Sequence, residues 1–160
     1  MKNRLILCLA VAATMIMYAC KKTDDKVIDT NFYMTALNNN NSWTAIPFAG
    51  FLGDSLYLQG SNSEKAIMMK IKFGSLGKYP LTGNQSLYVT NIGGDVLSVK
   101  YVLRADTVSS VTLTSYDADK QIFEGTFDLS FIQTFPVVTN PAKVSFSNGK
   151  FRIRRGAFEL

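Results

Sequence analysis

Residues 66–73 read Ala-Ile-Met-Met-Lys-Ile-Lys-Phe, and this stretch decides the fold class of the chain. Its apolar side chains recur at every second position. Ile67, Met69 and Ile71 share one face, whereas Lys70 falls on the opposite face. This period of two is typical of a strand with one face in the core and the other in water. The stretch therefore predicts a half-buried antiparallel β-strand.

Similar runs extend outward from this stretch in both directions, separated by residues that favour turns. They cover 32–37, 42–46, 55–59, 79–81, 87–90, 97–102, 111–116, 121–131 and 144–153. The sequence shows no stretch with helical spacing and caps after residue 30. The pattern predicts an all-β fold: an antiparallel β-sandwich or flattened β-barrel of about nine or ten strands, mostly connected by hairpins.

The late Asn148-Gly149 pair is a strong local signal for a β-hairpin. A two-residue turn at this pair would place Phe146 opposite Phe151, so apolar side chains would meet apolar side chains. The sequence therefore predicts a tight hairpin here.

A second hairpin is predicted around 117–119, and its loop length follows from the polarity of the strands. A loop with an even number of residues would pair Leu113 with Glu124 and carry a charge inward. An odd loop instead pairs Leu113 with Phe123, so we predict a three-residue turn with a bulge. Gly125, within the return strand, predicts a bend or a close approach of another segment.

Composition limits the chemistry available to this chain. It has 160 residues, no histidine and a formal charge of +5. Lys2 and Arg4 belong to a predicted export signal, which leaves 15 basic against 12 acidic residues, a net charge of +3. That mild, scattered charge argues against a nucleic-acid partner. Without histidine, neither a Ser-His-Asp triad nor a histidine-based metal site can form.

We therefore expect no enzyme activity, no catalytic residues, no cofactor and no metal site. The surviving catalytic possibility is a carboxylate pair of the kind glycosidases use. The candidate acids are Asp54, Glu64, Asp106, Glu124 and Asp128. Residues 117–119, Asp-Ala-Asp, could also suggest calcium, but the further ligands of a calcium loop do not follow in register, and a turn is the preferred interpretation.

The N-terminus has the three parts of an export signal. A positive start is followed by an apolar run from Leu5 to Met17, which is too short to span a bilayer comfortably. The run ends in Met17-Tyr18-Ala19-Cys20, which resembles the lipobox of bacterial lipoproteins. That resemblance implies a lipid on Cys20 and an organisation of three segments: 1–19 signal peptide, 20–30 lipidated flexible tether and 31–160 single all-β domain.

The charged residues after the cysteine suggest a destination. Lys21, Lys22, Asp24 and Asp25 resemble the lysine-then-acidic export tag of surface lipoproteins in the Bacteroidetes. The alternative is that these residues form a solvated tether with no export signal. We expect anchoring to the outer membrane and exposure at the cell surface, with the periplasmic face as the alternative.

The body of the chain resembles a group of small Bacteroidetes envelope lipoproteins of uncharacterised function. The matching pieces, in order, are 34–36 with 43–45, then 77–81, 110–117, 124–127 and 146–151. The resemblance implies an antiparallel β domain behind a lipid anchor, and it supplies no catalytic residues. The asparagine run 38–41 departs from the usual Asn-Gly-like turn, which predicts a longer first hairpin loop.

Aromatic residues are candidates for a sugar-binding platform. Trp43, Tyr57 and Tyr101, together with Tyr88 and Phe135, could offer flat rings to a glycan. The alternative is that these rings fill the core or its rim, as aromatic side chains do in many β domains.

Basic residues on the last strand are the second candidate site. Lys150, Arg152 and Arg154 point the same way, with Arg155 next to them. They could bind an acidic glycan or a lipid headgroup. The alternative is a charged strand face that prevents edge-to-edge aggregation.

These observations favour a non-catalytic binding or accessory module, tethered to the membrane by lipid and facing a glycan, a peptide or an envelope protein. The first alternative is a structural or assembly lipoprotein without a small ligand. The second is a small glycan-active enzyme based on carboxylates.

Overall fold

The architecture is described from a computed structural model that covers residues 31–94 and 96–156. Ten strands form in this part of the chain, with one turn of 3-10 helix at Gly83–Gln85. The strands are β1 (Tyr33–Asn38), β2 (Asn41–Leu52), β3 (Ser55–Asn62), β4 (Lys65–Lys72), β5 (Gly77–Leu81), β6 (Ser86–Ile92), β7 (Val96–Leu103), β8 (Ser109–Asp117), β9 (Ile122–Phe135) and β10 (Lys143–Arg154). The predicted all-β fold class is confirmed.

The predicted signal peptide and tether, 1–19 and 20–30, lie outside the described residues, together with Cys20, Lys21, Lys22, Asp24 and Asp25. The predictions for these residues therefore stay predictions. In 31–94 and 96–156 there is no helix with the length and apolar character that a membrane crossing requires.

All ten strands belong to one antiparallel sheet that closes into a ring without forming a regular barrel. Its order is β10-β1-β2-β3-β4-β6-β7-β9-β8-β5, and the ring closes through the pairing of β10 with β9. On its other edge β9 pairs with β8 along 122–128 and with β7 along 131–135. Strands β8 and β5 therefore branch away from the closed ring at β9.

The core lies inside this ring and follows the alternation of the strands. Ile67, Met69 and Ile71 of β4 are buried, as the stretch 66–73 predicts. Long strand β9 contributes Phe123 and Phe127, among others, to the same core.

The first hairpin turn is tighter than the sequence predicts. Asn38 pairs with Asn41, so only Asn39 and Asn40 form the turn, with φ of 47° and 67°. Asparagine tolerates positive φ, and a two-residue turn with positive φ at both positions matches the twist of the strands. The prediction of a longer loop is therefore wrong.

The Asn148-Gly149 pair does not form a hairpin turn, and this prediction is also wrong. Strand β10 runs through it without reversing, and the pair lies at an irregularity in the β9–β10 register between Phe146 and Gly149. Asn148 has a φ of 54°, and its N–H donates to the Asp128 carboxylate at 3.0 Å. The left-handed conformation that suits a tight turn here produces a bulge. The bulge lets Phe146 and Phe151 face the core from one strand.

In the β8–β9 hairpin the apolar side chains face the core as predicted, but the pairing of residues between the strands differs from the predicted pairing. Asp117 pairs with Ile122, which leaves an even loop of 118–121, and the irregularity lies inside β8 between Leu113 and Ser115. Leu113 pairs with Gly125 rather than Phe123. The predicted odd loop is wrong because the bulge occurs within the strand and not at the turn.

Candidate functional site

A gap between two hairpins forms the most polar depression that we describe. Strand β2 pairs with β1 along 41–45 and with β3 along 46–52. The β1–β2 and β3–β4 hairpins therefore diverge beyond Ser61, the last β3 residue in that pairing. The Asn62 side chain donates to the Thr44 carbonyl oxygen at 2.6 Å across the start of the gap.

The depression has a volume of about 500 Å³, and we refer to it as the asparagine pocket. Amide and hydroxyl side chains dominate its lining, with one acid, one base and one indole ring. The lining residues are Asn38, Asn39, Asn41, Ser42, Trp43, Asn62, Ser63, Glu64 and Lys65. Amides and hydroxyls both donate and accept hydrogen bonds, so such a lining suits a ligand that does the same.

Both hairpins that flank the asparagine pocket are held by hydrogen bonds to neighbouring strands. On one side, Asn39 accepts the Ser145 N–H on its side-chain oxygen at 2.9 Å and donates its own N–H to the Ser145 carbonyl at 3.0 Å. On the other side, Glu64 accepts the Gly93 N–H on Oε1 at 2.9 Å and the Asn91 N–H on its carbonyl at 2.7 Å. The pocket is therefore largely pre-organised, which reduces the entropy cost of binding.

Trp43 lines the asparagine pocket and carries an unsatisfied donor. The side chain is only 6 % exposed, and its ring meets Phe146 edge-on with 5.2 Å between centroids. Its Nε1–H has no hydrogen-bond partner in the described part of the chain. A buried indole N–H usually finds an acceptor, and leaving it without one costs about 1–3 kcal/mol. The N–H has almost no solvent-accessible surface, so an oxygen of a bound molecule would satisfy it only after the pocket lining shifts.

A chain of aromatic contacts links this tryptophan through Phe146 and Tyr88 to Tyr101. Phe146 contacts Tyr88 at 5.2 Å between centroids, and Tyr88 contacts Tyr101 at 5.1 Å. Burial raises the pKa of the Tyr88 hydroxyl, Tyr101 raises it further, and a hydrogen bond with the Asn38 side chain lowers it in part. Tyr88 therefore connects a pocket residue to the core.

The raised pKa of Tyr88 predicts a late ionisation step. Unfolding returns this phenol to the usual pKa of about 10, so its contribution to stability is complete below that pH and is lost as the pH rises through the folded-state value. We expect ultraviolet absorbance to show a tyrosine that ionises late, absent from Tyr88→Phe. In urea-unfolded protein the late step should disappear, and a late step that persists in Tyr88→Phe would contradict the assignment.

The five candidate binding residues do not form one surface. Trp43 lines the asparagine pocket, and Tyr101 is partly buried against Tyr88. Tyr57 lies on β3 with the Lys70 ammonium 5.6 Å from its ring centroid.

The two arginines of β10 have different surroundings. Arg152 forms an ion pair with Glu124, with 2.5 Å between Nη1 and Oε1. Arg154 stacks its guanidinium 4.7 Å from the ring centroid of Phe32. The neighbouring Arg155 lies over Phe51, at 5.1 Å.

Each candidate acid forms its own ion pair or hydrogen bond, with a different partner. Asp54 pairs with Lys72 at 3.1 Å and Asp106 with Arg104 at 2.6 Å, and hydrogen bonds within these pairs lower the pKa of both carboxyls. The other three are held as follows: Glu64 by the Gly93 N–H, Glu124 by Arg152 and Asp128 by the Asn148 N–H.

The first aspartate of the predicted turn at 117–119 also forms a local hydrogen bond. Asp117 accepts the Lys120 N–H at 2.9 Å, and this bond lowers its pKa. In the described ranges, no three Cys, Asp or Glu side chains come together as a group that could hold a metal ion.

Sequence reasoning missed most of the asparagine pocket. It selected Trp43 as a binding residue and Glu64 only as a candidate catalytic acid, treated the asparagine run 38–41 only as a turn, and did not select Asn62, Ser63 or Lys65. The run is itself a signal, because four consecutive amides exceed what a two-residue turn needs. The contribution of the second hairpin required the strand order.

Comparison with known proteins identifies the family model that this chain fits. A model described as a domain of unknown function, DUF6252, matches residues 30–153. Neither a curated protein nor a solved structure matches the chain.

Proposed function

This chain belongs to the DUF6252 family, and on that premise we propose that it is a non-catalytic glycan-binding module, anchored by lipid on Cys20 to the outer membrane and exposed at the cell surface. The lipobox-like end of the predicted signal peptide supports the anchor, and the lysine-aspartate segment supports export. Binding is assigned to the asparagine pocket.

The unsatisfied N–H of Trp43 carries the binding part of this proposal. It is a buried donor beside a pocket whose other polar groups are amides, hydroxyls, one carboxylate and one ammonium. A sugar offers hydroxyl oxygens as acceptors and hydroxyl protons as donors, so it can satisfy both kinds of group. Binding sites of this type combine an apolar ring with a few polar groups that fix orientation.

The direction of β1 suits a module that faces away from its membrane. The segment leading back to Cys20 joins the domain at Tyr33, whereas Asn38 at the other end of β1 lines the asparagine pocket. A six-residue strand spans about 20 Å. An anchor at Cys20 would therefore hold the domain by the end of β1 opposite the pocket.

Exposed apolar side chains around the β6–β7 hairpin and the end of β9 support a second candidate, an assembly lipoprotein that binds another protein. Ile92 pairs with Val96 across the β6–β7 hairpin, and Phe135 pairs with Lys100 of β7. Ile92, Val96 and Phe135 are exposed, as is Val137 in the following loop. Exposed apolar patches of this kind often mark protein contacts.

Trp43 fluorescence tests the binding proposal directly, because Trp43 is the one tryptophan in the sequence. We expect at least one of cellotriose, xylotriose, mannotriose and chitotriose to change its emission in a saturable way. Calorimetry should show affinity about tenfold lower for Trp43→Phe, which keeps an aromatic ring but removes the N–H, since one hydrogen bond contributes about 1 kcal/mol or more.

Matched variants separate pocket effects from general effects. Asn41→Ala, in the pocket lining, should also weaken binding, whereas Tyr57→Phe, on the outer face of β3, should leave it unchanged. If no neutral or acidic oligosaccharide alters the emission of Trp43 at millimolar concentration, the glycan proposal fails and the assembly candidate moves ahead.

A further inference from the structure

We propose that the ligand is a linear acidic oligosaccharide that begins in the asparagine pocket and runs across the outer face of β2 to Arg154. This inference rests on the proposed function, because it assumes that the asparagine pocket binds a glycan. It adds the shape and the charge of that glycan.

A second depression adjoins the asparagine pocket and shares part of its lining. This outer groove has a volume of about 420 Å³ and shares Asn62 and Ser63 with the pocket. Because the two depressions share part of their lining, a chain can enter both, whereas a single sugar would occupy only one. Sites of about 300–1,000 Å³ hold drug-sized molecules, so each depression has room for part of an oligosaccharide.

The outer groove differs from the asparagine pocket in polarity. Ile46 is 63 % exposed within it, and Tyr33 and Pro47 also line it. Exposed apolar and ring surfaces suit the C–H faces of sugars, while amides and hydroxyls suit their hydroxyl edges. A linear glycan presents both kinds of surface along its length, which fits one apolar and one polar section.

A cation lies beside the far part of the groove. Phe32 lines the outer groove, and the Arg154 guanidinium lies 4.7 Å from the centroid of its ring. The ion pairs found within the described ranges give Arg152 a carboxylate partner but give none to Arg154. A planar guanidinium binds carboxylate or sulfate through two parallel hydrogen bonds. An acidic sugar at this position would supply that partner.

An extended peptide fits the same groove less well. Peptides commonly bind by adding a strand to a free sheet edge, through main-chain hydrogen bonds. At the divergence of β2 and β3 the Thr44 carbonyl already accepts the Asn62 side chain at 2.6 Å. An added strand would have to displace this bond, whereas a glycan on the outer face would not.

The test uses the full chain and acidic oligosaccharides of two lengths. The probes are di- and hexasaccharides of galacturonate, mannuronate and hyaluronan, with methyl-esterified hexasaccharides as neutral partners of identical backbone. We expect at least one acidic hexasaccharide to bind about tenfold more tightly than its disaccharide and its methyl ester. A charge-assisted contact contributes about 1.5–3 kcal/mol, consistent with this factor.

Two neighbouring arginines provide the matched variants. Arg154→Gln should weaken hexasaccharide binding about tenfold and leave the disaccharide unchanged, whereas Arg155→Gln, whose guanidinium lies over Phe51, should change neither. The inference is overturned if methyl esters bind as tightly as the acids, if Arg154→Gln has no effect, or if hexaglutamate peptide binds in place of every glycan. When neutral trisaccharides bind through Trp43 but length and charge do not matter, only the groove inference fails. When no oligosaccharide binds, both proposals fail.

Discussion

Replacing Gly125 with alanine should lower the free energy of unfolding by about 3 kcal/mol, at the upper end of the usual cost of overpacking. A Cβ at this position would lie 2.6 Å from Cζ of Phe151 and closer still to the backbone oxygen of Thr112. Real Cβ atoms do not approach other heavy atoms so closely. Strands β8 and β9 must therefore separate, and Phe151 must also shift within the core.

Neither neighbour can move without further loss. Phe151 is buried and stacks against Phe127, with 6.5 Å between centroids. Thr112 pairs with Thr126 in the β8–β9 ladder, so displacing its carbonyl disturbs the strand pairing beside Gly125. Because protein interiors are close-packed, such a displacement passes to other side chains. The predicted close approach at Gly125 is confirmed by this geometry.

Urea titration of the purified protein measures this effect, with Gly74→Ala as the control. A Cβ at Gly74 would meet no heavy atom within 4 Å, and its φ lies outside the left-handed region. Substitution there should change the free energy of unfolding by no more than about 0.5 kcal/mol. If both variants unfold at the same urea concentration as wild type, the close approach of β8, β9 and Phe151 is not present in solution.

The faces of the strands were predictable from local sequence. Alternation in 66–73 indicates which side chains of β4 enter the core, and the same reasoning places Phe123 inside and Glu124 outside on β9. This works because side chains alternate between the two faces of a strand wherever no bulge interrupts it. The fold class follows from such local patterns once enough of them occur in order.

The registers were not predictable, because bulges shift them and local sequence does not specify which conformation wins. Asn148 has a φ of 54°, a conformation that a tight turn and a bulge both accept. The outcome depends on β9, whose Asp128 accepts the Asn148 N–H from a position 20 residues away. In β8 the bulge before Ser115 likewise depends on the partner strand.

The candidate site required topology as well as register. The two hairpins of the asparagine pocket are separate in sequence and meet because β1–β2 and β3–β4 are neighbours in the sheet. The contact between Arg154 and Phe32 joins opposite ends of the domain sequence. Residue type alone identified Trp43 and Arg154, but only the structure shows that Trp43 lines one depression and that Arg154 contacts Phe32, which lines a second depression that shares Asn62 and Ser63 with the first.

Replacing Cys20 with serine should move the protein from the membrane fraction to the soluble fraction. The predicted signal places its lipid on this thiol, and two or more acyl chains are needed for stable anchoring. Serine has no thiol to accept the lipid. Cys8→Ser is the matched control, since Cys8 lies within the predicted signal and is removed with it. Fractionation followed by detergent extraction measures both, and equal retention of the two variants in the membrane would contradict lipid attachment at Cys20.

The charged segment after Cys20 gives a separate prediction about which side of the outer membrane holds the domain. Proteinase K added to intact cells should degrade the wild-type domain, whereas an Asp24→Ala/Asp25→Ala variant should stay protected until the outer membrane is opened. Carboxylates that act as an export tag must be recognised by cellular machinery, but carboxylates that only solvate a tether can be removed without relocating the protein. Degradation of both proteins would support surface exposure and contradict the assignment of Asp24 and Asp25 as an export tag. Protection of both would place the asparagine pocket in the periplasm, where an acidic surface glycan could not reach it.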